Sequence, residues 1–131
     1  MGTNLGLHDI CAKERIAGYK LPTIRHIMLD VVRCVRTLHM AGICHADLKQ
    51  RNIVRRKGKM VLVDLDAAAR MGTALGDKCS TAYCAPERAR AKFAAAPEPV
   101  IAAESYDVWH IGVSRNSFFK FLLSIRTLLG T

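Results

Sequence analysis

The 131-residue sequence contains no C-x-x-C pair and no secretory signal segment. Its five cysteines are scattered and odd in number, which does not suggest a disulfide framework. A zinc site at Cys44 and His45 would need a second ligand pair, and no C-x-x-C motif is present to supply it, so we do not expect one. We therefore interpret the cysteines as reduced thiols and expect an intracellular, cytoplasmic protein.

The sequence also lacks an apolar run long enough to cross a bilayer. Its most apolar stretch, residues 117–130, is too short and is interrupted by Lys120 and Arg126. Half of all residues are apolar and 24% are charged, which is the balance of an ordinary globular chain. We expect one small domain without internal repeats and without a membrane partner.

Acidic residues are few, because 20 Lys and Arg stand against 11 Asp and Glu and give a formal net charge of +9. Residues 51–60 contain neither an acid nor an aromatic side chain, and their cations are Arg51, Arg55, Arg56, Lys57 and Lys59. Such a cluster is compatible with a solvated face, or with a nucleotide, an acidic protein or a nucleic acid as partner. The missing aromatic residues argue against base stacking, so we expect no nucleic-acid partner.

Local patterns predict a mainly α chain with a small β-hairpin, which is an α+β fold. Apolar residues recur at spacings of three and four from Leu21 and predict an amphipathic helix that ends near Gly42. Two short apolar runs on either side of Gly58 predict the hairpin. Residues 64–87 are interpreted as a long loop, and residues 88–103 as a short helix with an irregular insertion.

A final helix is predicted to begin at Tyr106. Ser105 is its expected N-cap, and Asp107 lies in its first turn, where the helix dipole favours an acid. Trp109 in the same helix is predicted to be a core residue.

The segment from Gly42 to Val54 reads GICHADLKQRNIV and concentrates four polar side chains between apolar runs. Its part HADLKQRN, residues 45–52, resembles the catalytic loop of eukaryotic protein kinases, whose family form is H-R-D-L-K-x-x-N. Three further motifs follow in the family's order: DLD at 64–66 in the place of D-F-G, APE at 85–87, and DVW at 107–109 with Gly112, as in D-x-W-x-x-G. Lys49 makes the loop similar to the serine/threonine type, since tyrosine kinases usually carry Ala or Arg in this region.

The resemblance implies a protein-kinase-like C-lobe fragment. A partial protein kinase domain is expected over residues 5–113, from the catalytic loop to the start of the helix that supports it. Residues 114–131 are expected to form a divergent tail.

The resemblance also implies transfer of the γ-phosphate of ATP, with Mg²⁺, to a Ser or Thr hydroxyl of a protein substrate. Asp47, Lys49 and Asn52 are then the catalytic residues: Asp47 would accept or orient the hydroxyl proton, and Lys49 would lie near the transferred phosphate. Asn52 would hold one Mg²⁺ and Asp64 the other, because this hard cation prefers oxygen ligands. Val54 would lie beneath the adenine, and Ser80 would touch the catalytic Asp and help form the substrate-binding surface.

Several departures from the family pattern bear on this interpretation. Ala46 replaces an Arg that would clamp a phosphorylated activation loop, so control by that route is not expected. Asp66 replaces a Gly and could itself be the metal ligand if the register slips by two. Before Leu5 there is no room for the glycine-rich flap, the V-A-I-K lysine or its partner Glu, so we expect a truncated, catalytically incomplete chain. The alternatives are a noncatalytic kinase-like interaction module and, last, a basic nucleic-acid binder.

Overall fold

Three α-helices and five short β-strands make up the residues that the computed structural model describes, 5–6, 21–78 and 80–114. The helices are α1 (Leu21–Met40), α2 (Pro86–Phe93) and α3 (104–114). The strands are β1 (Leu5–Gly6), β2 (Ile43–Cys44), β3 (Ile53–Arg56), β4 (Lys59–Leu62) and β5 (Ala69–Arg70). The described chain is therefore mainly α with small antiparallel sheets, as predicted. The apolar stretch 117–130 lies outside the described residues.

Helix α1 forms because its apolar side chains fall on one face. That face consists of Ile24, Ile27, Val31 and Val35. It packs against Leu48, Ile53 and Met60 to form the first apolar cluster, and each fully buried aliphatic side chain contributes about 1.5–3 kcal/mol. The helix ends at Met40, and Gly42 then takes a left-handed φ of +74°, which suits glycine after a helix terminus. The predicted helix is confirmed.

The predicted hairpin is confirmed as β3 and β4, which pair from Ile53↔Leu62 to Arg56↔Lys59. Its two-residue turn, Lys57 and Gly58, has φ values of +49° and +76°. Positive φ at both central residues is the type I′ geometry, whose twist matches that of the flanking strands. Strand β1 pairs with the other edge of β3 and completes a three-stranded sheet in the order β1-β3-β4.

Helix α1 covers the outer edge of β4. The backbone N–H of Met60 donates to Asp30 Oδ2 at 3.3 Å, and the Cys34 thiol donates to the Met60 carbonyl at 3.3 Å. Burial raises the pKa of the Cys34 thiol above its usual value, and the nearby Asp30 charge adds to the effect. The thiol therefore stays protonated and acts as a donor.

A second, two-stranded sheet pairs β2 with β5, and Cys44 lies opposite Ala69. The second apolar cluster contains Cys44, Ala46, Leu75, Ala85, Val100, Ala102 and Tyr106. Ala46 belongs to this cluster and Leu48 to the first one. The polar loop at residues 45–52 is thus anchored in two apolar clusters by alternate residues, which leaves Asp47 between them.

The structure differs from the sequence-based prediction in its second half. Helix α2 begins at Pro86 rather than residue 88, because proline is favourable in a first helical turn. The interval interpreted as a loop contains β5 and a 3₁₀ turn, Thr81–Tyr83.

Helix α3 begins at residue 104, so Ser105 lies inside its first turn and is not the N-cap. The core assignment of Trp109 was wrong: the side chain is 43% exposed. Tyr106, Asp107 and His110 form the buried face, and Trp109 lies off it. None of the helices over 21–40, 86–93 and 104–114 has the length and hydropathy of a bilayer span.

Candidate active site

A buried carboxylate on α3 holds the loop at residues 45–52 in place. Asp107 is fully buried and accepts the backbone N–H of His45 through Oδ2 and that of Ala46 through Oδ1, both at 2.9 Å. His39 Nε2, from the last turn of α1, lies 2.8 Å from the same Oδ2. A buried carboxylate is tolerated only when its oxygens are paired, so these contacts fix the loop against α1 and α3 together.

The backbone of Ala46 is held in a conformation that alanine rarely adopts. Its φ is +66°, in the left-handed region, which costs an L-residue roughly 1–2 kcal/mol. The hydrogen bond to Asp107 Oδ1 offsets this cost and turns the methyl group into the second apolar cluster. Beside it, burial raises the pKa of the Cys44 thiol to about 12, with the Asp107 charge as a further cause.

Both ring nitrogens of His45 are engaged by the backbone. Nδ1 accepts the N–H of Asp47 at 3.3 Å, so Nε2 carries the proton and donates to the Val63 carbonyl at 3.1 Å. The ring is fully buried. His45 therefore orients Asp47 and joins the loop to the end of the hairpin, and neither nitrogen is free to act as a base.

Asp47, Lys49 and Ser80 form a connected polar group. Ser80 Oγ donates to Asp47 Oδ1 at 3.1 Å, and Lys49 Nζ donates to Ser80 Oγ at 2.8 Å. Lys49 Nζ also lies 3.4 Å from Asp47 Oδ2. The Asp47 residue is 3% exposed, whereas the Lys49 side chain is 24% exposed. The group thus combines a buried carboxylate with a cation that reaches solvent.

Asn52 forms hydrogen bonds to Asp47 from the other side of the loop. Its amide nitrogen donates to the Asp47 carbonyl at 2.7 Å and, at a longer 3.4 Å, to Asp47 Oδ2. The backbone carbonyl of Asn52 accepts the backbone N–H of Val63 at 2.9 Å. The chain immediately before Asp64 therefore lies beside the loop, although Asp64 is twelve positions farther along the sequence.

The Asp64 carboxylate faces a lysine. Oδ1 accepts the backbone N–H of Asp66 at 3.4 Å and lies 3.5 Å from Lys78 Nζ, which also lies 3.7 Å from Asp66 Oδ2. The Asp66 N–H lowers the pKa of Asp64, and the Lys78 cation lowers it further. Asp64 is therefore ionised at neutral pH and shares a cation with the more exposed Asp66.

Val54 lies in the middle of the three-stranded sheet, opposite Gly6 and Val61. Because side chains alternate along a strand, Val54 and Val61 share the sheet face opposite to the one that Ile53 and Met60 present to α1. This apolar pair begins two residues after Asn52. Val54 is buried and Val61 is half-buried, so an apolar pair with little exposed area adjoins the polar group.

The oxygen atoms of Asn52 and Asp64 fit the requirements of Mg²⁺. The Asn52 amide nitrogen points at Asp47, so its amide oxygen is directed elsewhere and is left for a cation. Among residues 5–6, 21–78 and 80–114, no three His, Cys, Asp or Glu side chains cluster as a complete metal site. Mg²⁺ often takes one or two protein oxygens and completes its shell with phosphate and water, so the donor set suits a metal shared with a nucleotide.

The sequence as a whole matches the family model of the protein kinase domain over residues 2–121. The chain belongs to the protein kinase family. The glycogen synthase kinase-3 homolog YGK3 of Saccharomyces cerevisiae is 32% identical over 104 residues, covering 72% of this chain and 25% of that kinase. The dual specificity tyrosine-phosphorylation-regulated kinase 2 of Drosophila melanogaster is 24% identical over 113 residues, covering 83% of this chain and 14% of that kinase. The kinase chain described here therefore spans a quarter or less of the length of these two relatives.

Solved structures of the kinase fold also resemble the chain. ROP2 of Toxoplasma gondii, described as a virulence factor with a protein-kinase fold and no enzymatic activity, superimposes with a TM-score of 0.62 at 22% identity. The match covers 83% of this chain and 31% of ROP2. At this identity the likeness concerns the fold alone, and it confirms the predicted kinase-like fold class.

The structure brings Lys49, Asn52 and Ser80 into contact with Asp47 and places Asp64 one residue beyond the point where the hairpin joins the loop. Sequence reasoning missed two features. It assigned Asp107 to the helix dipole, whereas the carboxylate binds the loop backbone, and only the D-x-W-x-x-G match hinted at a supporting role. It did not single out Lys78, because nothing local marks a lysine as the partner of a carboxylate fourteen positions away.

Proposed function

We propose that this protein kinase chain provides catalytic, metal-binding and adenine-contacting residues of a site that transfers the γ-phosphate of ATP to Ser or Thr hydroxyls of proteins. The observation that supports it is the contact of Ser80 and Lys49 with Asp47, at 3.1 Å and 3.4 Å. A buried carboxylate, a hydroxyl donor and a cation meet there within hydrogen-bond range. This is the combination that positions a hydroxyl and neutralises a phosphoryl group.

Asp47 is the residue proposed to receive the substrate hydroxyl. His45 and Asn52 hold its backbone, so its carboxylate is fixed before substrate arrives. Its Oδ1 accepts a hydrogen bond from the Ser80 hydroxyl, and a substrate hydroxyl can donate to the carboxylate in the same way. The proton of the attacking hydroxyl then moves to Asp47.

Lys49 is proposed to neutralise charge on the transferred group. Its Nζ lies beside both Asp47 and Ser80, on the more exposed side of the polar group. A cation at this position stabilises the negative oxygens of the phosphoryl group as they approach the hydroxyl. Its identity as lysine also supports Ser and Thr as acceptors, by the resemblance to serine/threonine kinases.

The nucleotide side is assigned to Val54, Asn52 and Asp64. Val54, which is 9% exposed, offers an apolar contact for the adenine, and Asn52 and Asp64 offer oxygen ligands for Mg²⁺. When bound with ATP, Mg²⁺ neutralises phosphate charge and orients the γ-phosphate. Asp66 is the alternative carboxylate, since it shares Lys78 with Asp64.

A noncatalytic kinase-like module is the second candidate. The contact of Lys78 with both Asp64 and Asp66 favours it, because an internal cation competes with a metal for the same carboxylates. ROP2 shows that a kinase fold can lack activity. We propose a cytoplasmic location for either function, supported by the free thiols of Cys34, Cys44 and Cys84.

Transfer of radiolabelled phosphate from [γ-³²P]ATP with Mg²⁺ to a basic peptide distinguishes the two functions. Three peptides that differ only in carrying Ser, Thr or Tyr should be compared for the unaltered chain, Asp47→Asn and the exposed control Glu98→Gln. Because the sequence predicts a catalytically incomplete chain, we expect weak labelling of the Ser and Thr peptides that falls to background in Asp47→Asn and persists in Glu98→Gln. Equal labelling by the unaltered chain and Asp47→Asn removes the catalytic proposal.

Nucleotide binding should be measured separately as a shift of the melting temperature. A catalytic or nucleotide-binding chain gains stability from Mg²⁺-ATP in proportion to the logarithm of its concentration. A shift without labelling favours the noncatalytic module.

A further inference from the structure

The end of the β3–β4 hairpin carries a dense group of cations. We call Arg56, Lys57 and Lys59 the basic tip; all three are exposed and lie within four consecutive residues. Arg55, which precedes them, is half-buried and is not part of the basic tip. Across the described part of the chain, none of the three basic-tip residues has an ion-pair partner.

The strand register forces two of these cations together. Arg56 and Lys59 are direct cross-strand partners on one sheet face, and their Cα atoms are roughly 5 Å apart by the geometry of antiparallel pairs. Like charges in this arrangement destabilise a hairpin. Because both side chains leave the same sheet face from neighbouring backbone positions, the two cations can contact the same ligand.

The nearest acidic side chain from helix α1 does not neutralise the basic tip. The Asp30 side chain is 13% exposed, accepts the Met60 N–H at 3.3 Å and lies 3.8 Å from Arg33. Its oxygens are therefore turned to the helix and to the strand backbone. The repulsion within the basic tip is left for an external anion to relieve.

We propose that the basic tip binds an acidic polypeptide segment. An extended chain places alternate side chains about 6.5–7 Å apart, which lets successive carboxylates meet Arg56 and Lys59 while the segment passes the turn. Residues 51–60 contain no aromatic side chain to stack on bases, so the surface fits carboxylates better than a single-stranded nucleic acid. This surface does not depend on phosphoryl transfer.

The test uses the full chain and a fluorescein-labelled hexaglutamate peptide, with hexaglutamine as the uncharged control, in fluorescence anisotropy at 50 mM and 300 mM NaCl. The variant Arg56→Gln/Lys59→Gln removes two charges from the basic tip. Arg90→Gln/Lys92→Gln removes two exposed charges from α2 and keeps the net charge equal to that of the first variant. A single-stranded oligonucleotide of equal charge serves as the competing probe.

We expect hexaglutamate to bind at 50 mM NaCl, with at least tenfold weaker binding at 300 mM NaCl and in Arg56→Gln/Lys59→Gln, and less than a twofold change in the α2 variant. Lys57→Asn gives a second readout, because it removes one cation while suiting the turn, so weaker binding cannot reflect unfolding. Equal loss in the two double variants, or no binding of hexaglutamate, overturns the proposal. If the oligonucleotide binds more tightly than hexaglutamate, and this binding is lost in Arg56→Gln/Lys59→Gln, the proposal is overturned in favour of a nucleic-acid surface.

Discussion

The Asp107 carboxylate accepts the backbone N–H of Ala46 at 2.9 Å, from a helix that begins only at residue 104. Through this bond and the parallel one to His45, the conformation of the candidate active site depends on a side chain in α3. The dependence is strong because the left-handed φ of Ala46 is unfavourable for alanine and persists only where surrounding contacts stabilise it.

Replacing Asp107 should therefore destabilise the whole domain. In Asp107→Asn one acceptor oxygen becomes an NH₂ group that faces backbone N–H donors, so we expect a loss of about 2–4 kcal/mol in the free energy of unfolding. Urea denaturation followed by circular dichroism measures it, with the exposed Glu104→Gln in the same helix as control. A loss under about 0.5 kcal/mol would mean that the loop holds its shape without this carboxylate.

Removing the Ser80 hydroxyl should slow phosphoryl transfer without unfolding the chain. Ser80→Ala deletes one hydrogen bond to Asp47 and one from Lys49, and we expect the turnover rate to fall about 5- to 30-fold. Ser80→Thr keeps the hydroxyl and should retain most of the rate. Equal rates for Ser80→Ala and Ser80→Thr would show that the hydroxyl has no part in orienting Asp47.

Acid should weaken the fold partly through His110. Burial lowers the pKa of His110, against the raising influence of Asp107, Asp47 and Glu87, while His45 lowers it further. The unfolded chain, with a histidine pKa of about 6.5, then binds this proton more readily than the folded chain. Stability is therefore present above that pH and is lost as the pH falls through it, by at most about 1.4 kcal/mol per pH unit.

Unfolding free energies at pH 7.5 and 5.5 measure this effect. The difference between the two pH values should be smaller in His110→Gln than in the unaltered chain, because the amide does not titrate. The same difference in both proteins would assign the acid sensitivity to other groups.

The turn of the hairpin offers a stabilising substitution. Lys57 occupies a position with φ +49°, where asparagine is preferred, so Lys57→Asn should raise the free energy of unfolding by about 0.5–1 kcal/mol. Thermal denaturation measures the gain. Lys57→Gln, which removes the same charge without suiting a positive φ, is the control, and an equal gain in both variants would attribute the effect to charge alone.

Helix α1 and the hairpin could be predicted from the sequence because their signals are local. The apolar spacing of Ile24, Ile27 and Val31 belongs to one helix face, and Gly58 marks a turn between two adjacent strands. The same holds for Asp47, Lys49 and Asn52, which lie within six consecutive residues. These elements and the centre of the candidate site could be predicted because the residues that define each of them are close together in the sequence.

The features that escaped prediction depend on distant contacts. Strands β2 and β5 have two residues each, too few to show alternation, and they exist only because residues 43–44 and 69–70 meet in the fold. Trp109 was predicted to be a core residue, but the buried face of α3 is set by Tyr106, Asp107 and His110. The direction of the Asp107 carboxylate could not be read from its position in a first turn.

The hydrogen bonds of Met60 to Asp30 and Cys34 also govern how this molecule can associate. An uncovered strand edge is a template on which a second polypeptide can add a strand of its own. At Met60 both backbone groups are already occupied by α1, so β4 cannot be extended there by recruitment of another molecule. Because both groups are held by side chains of α1, the closure of this strand edge depends on the helix remaining packed against the sheet.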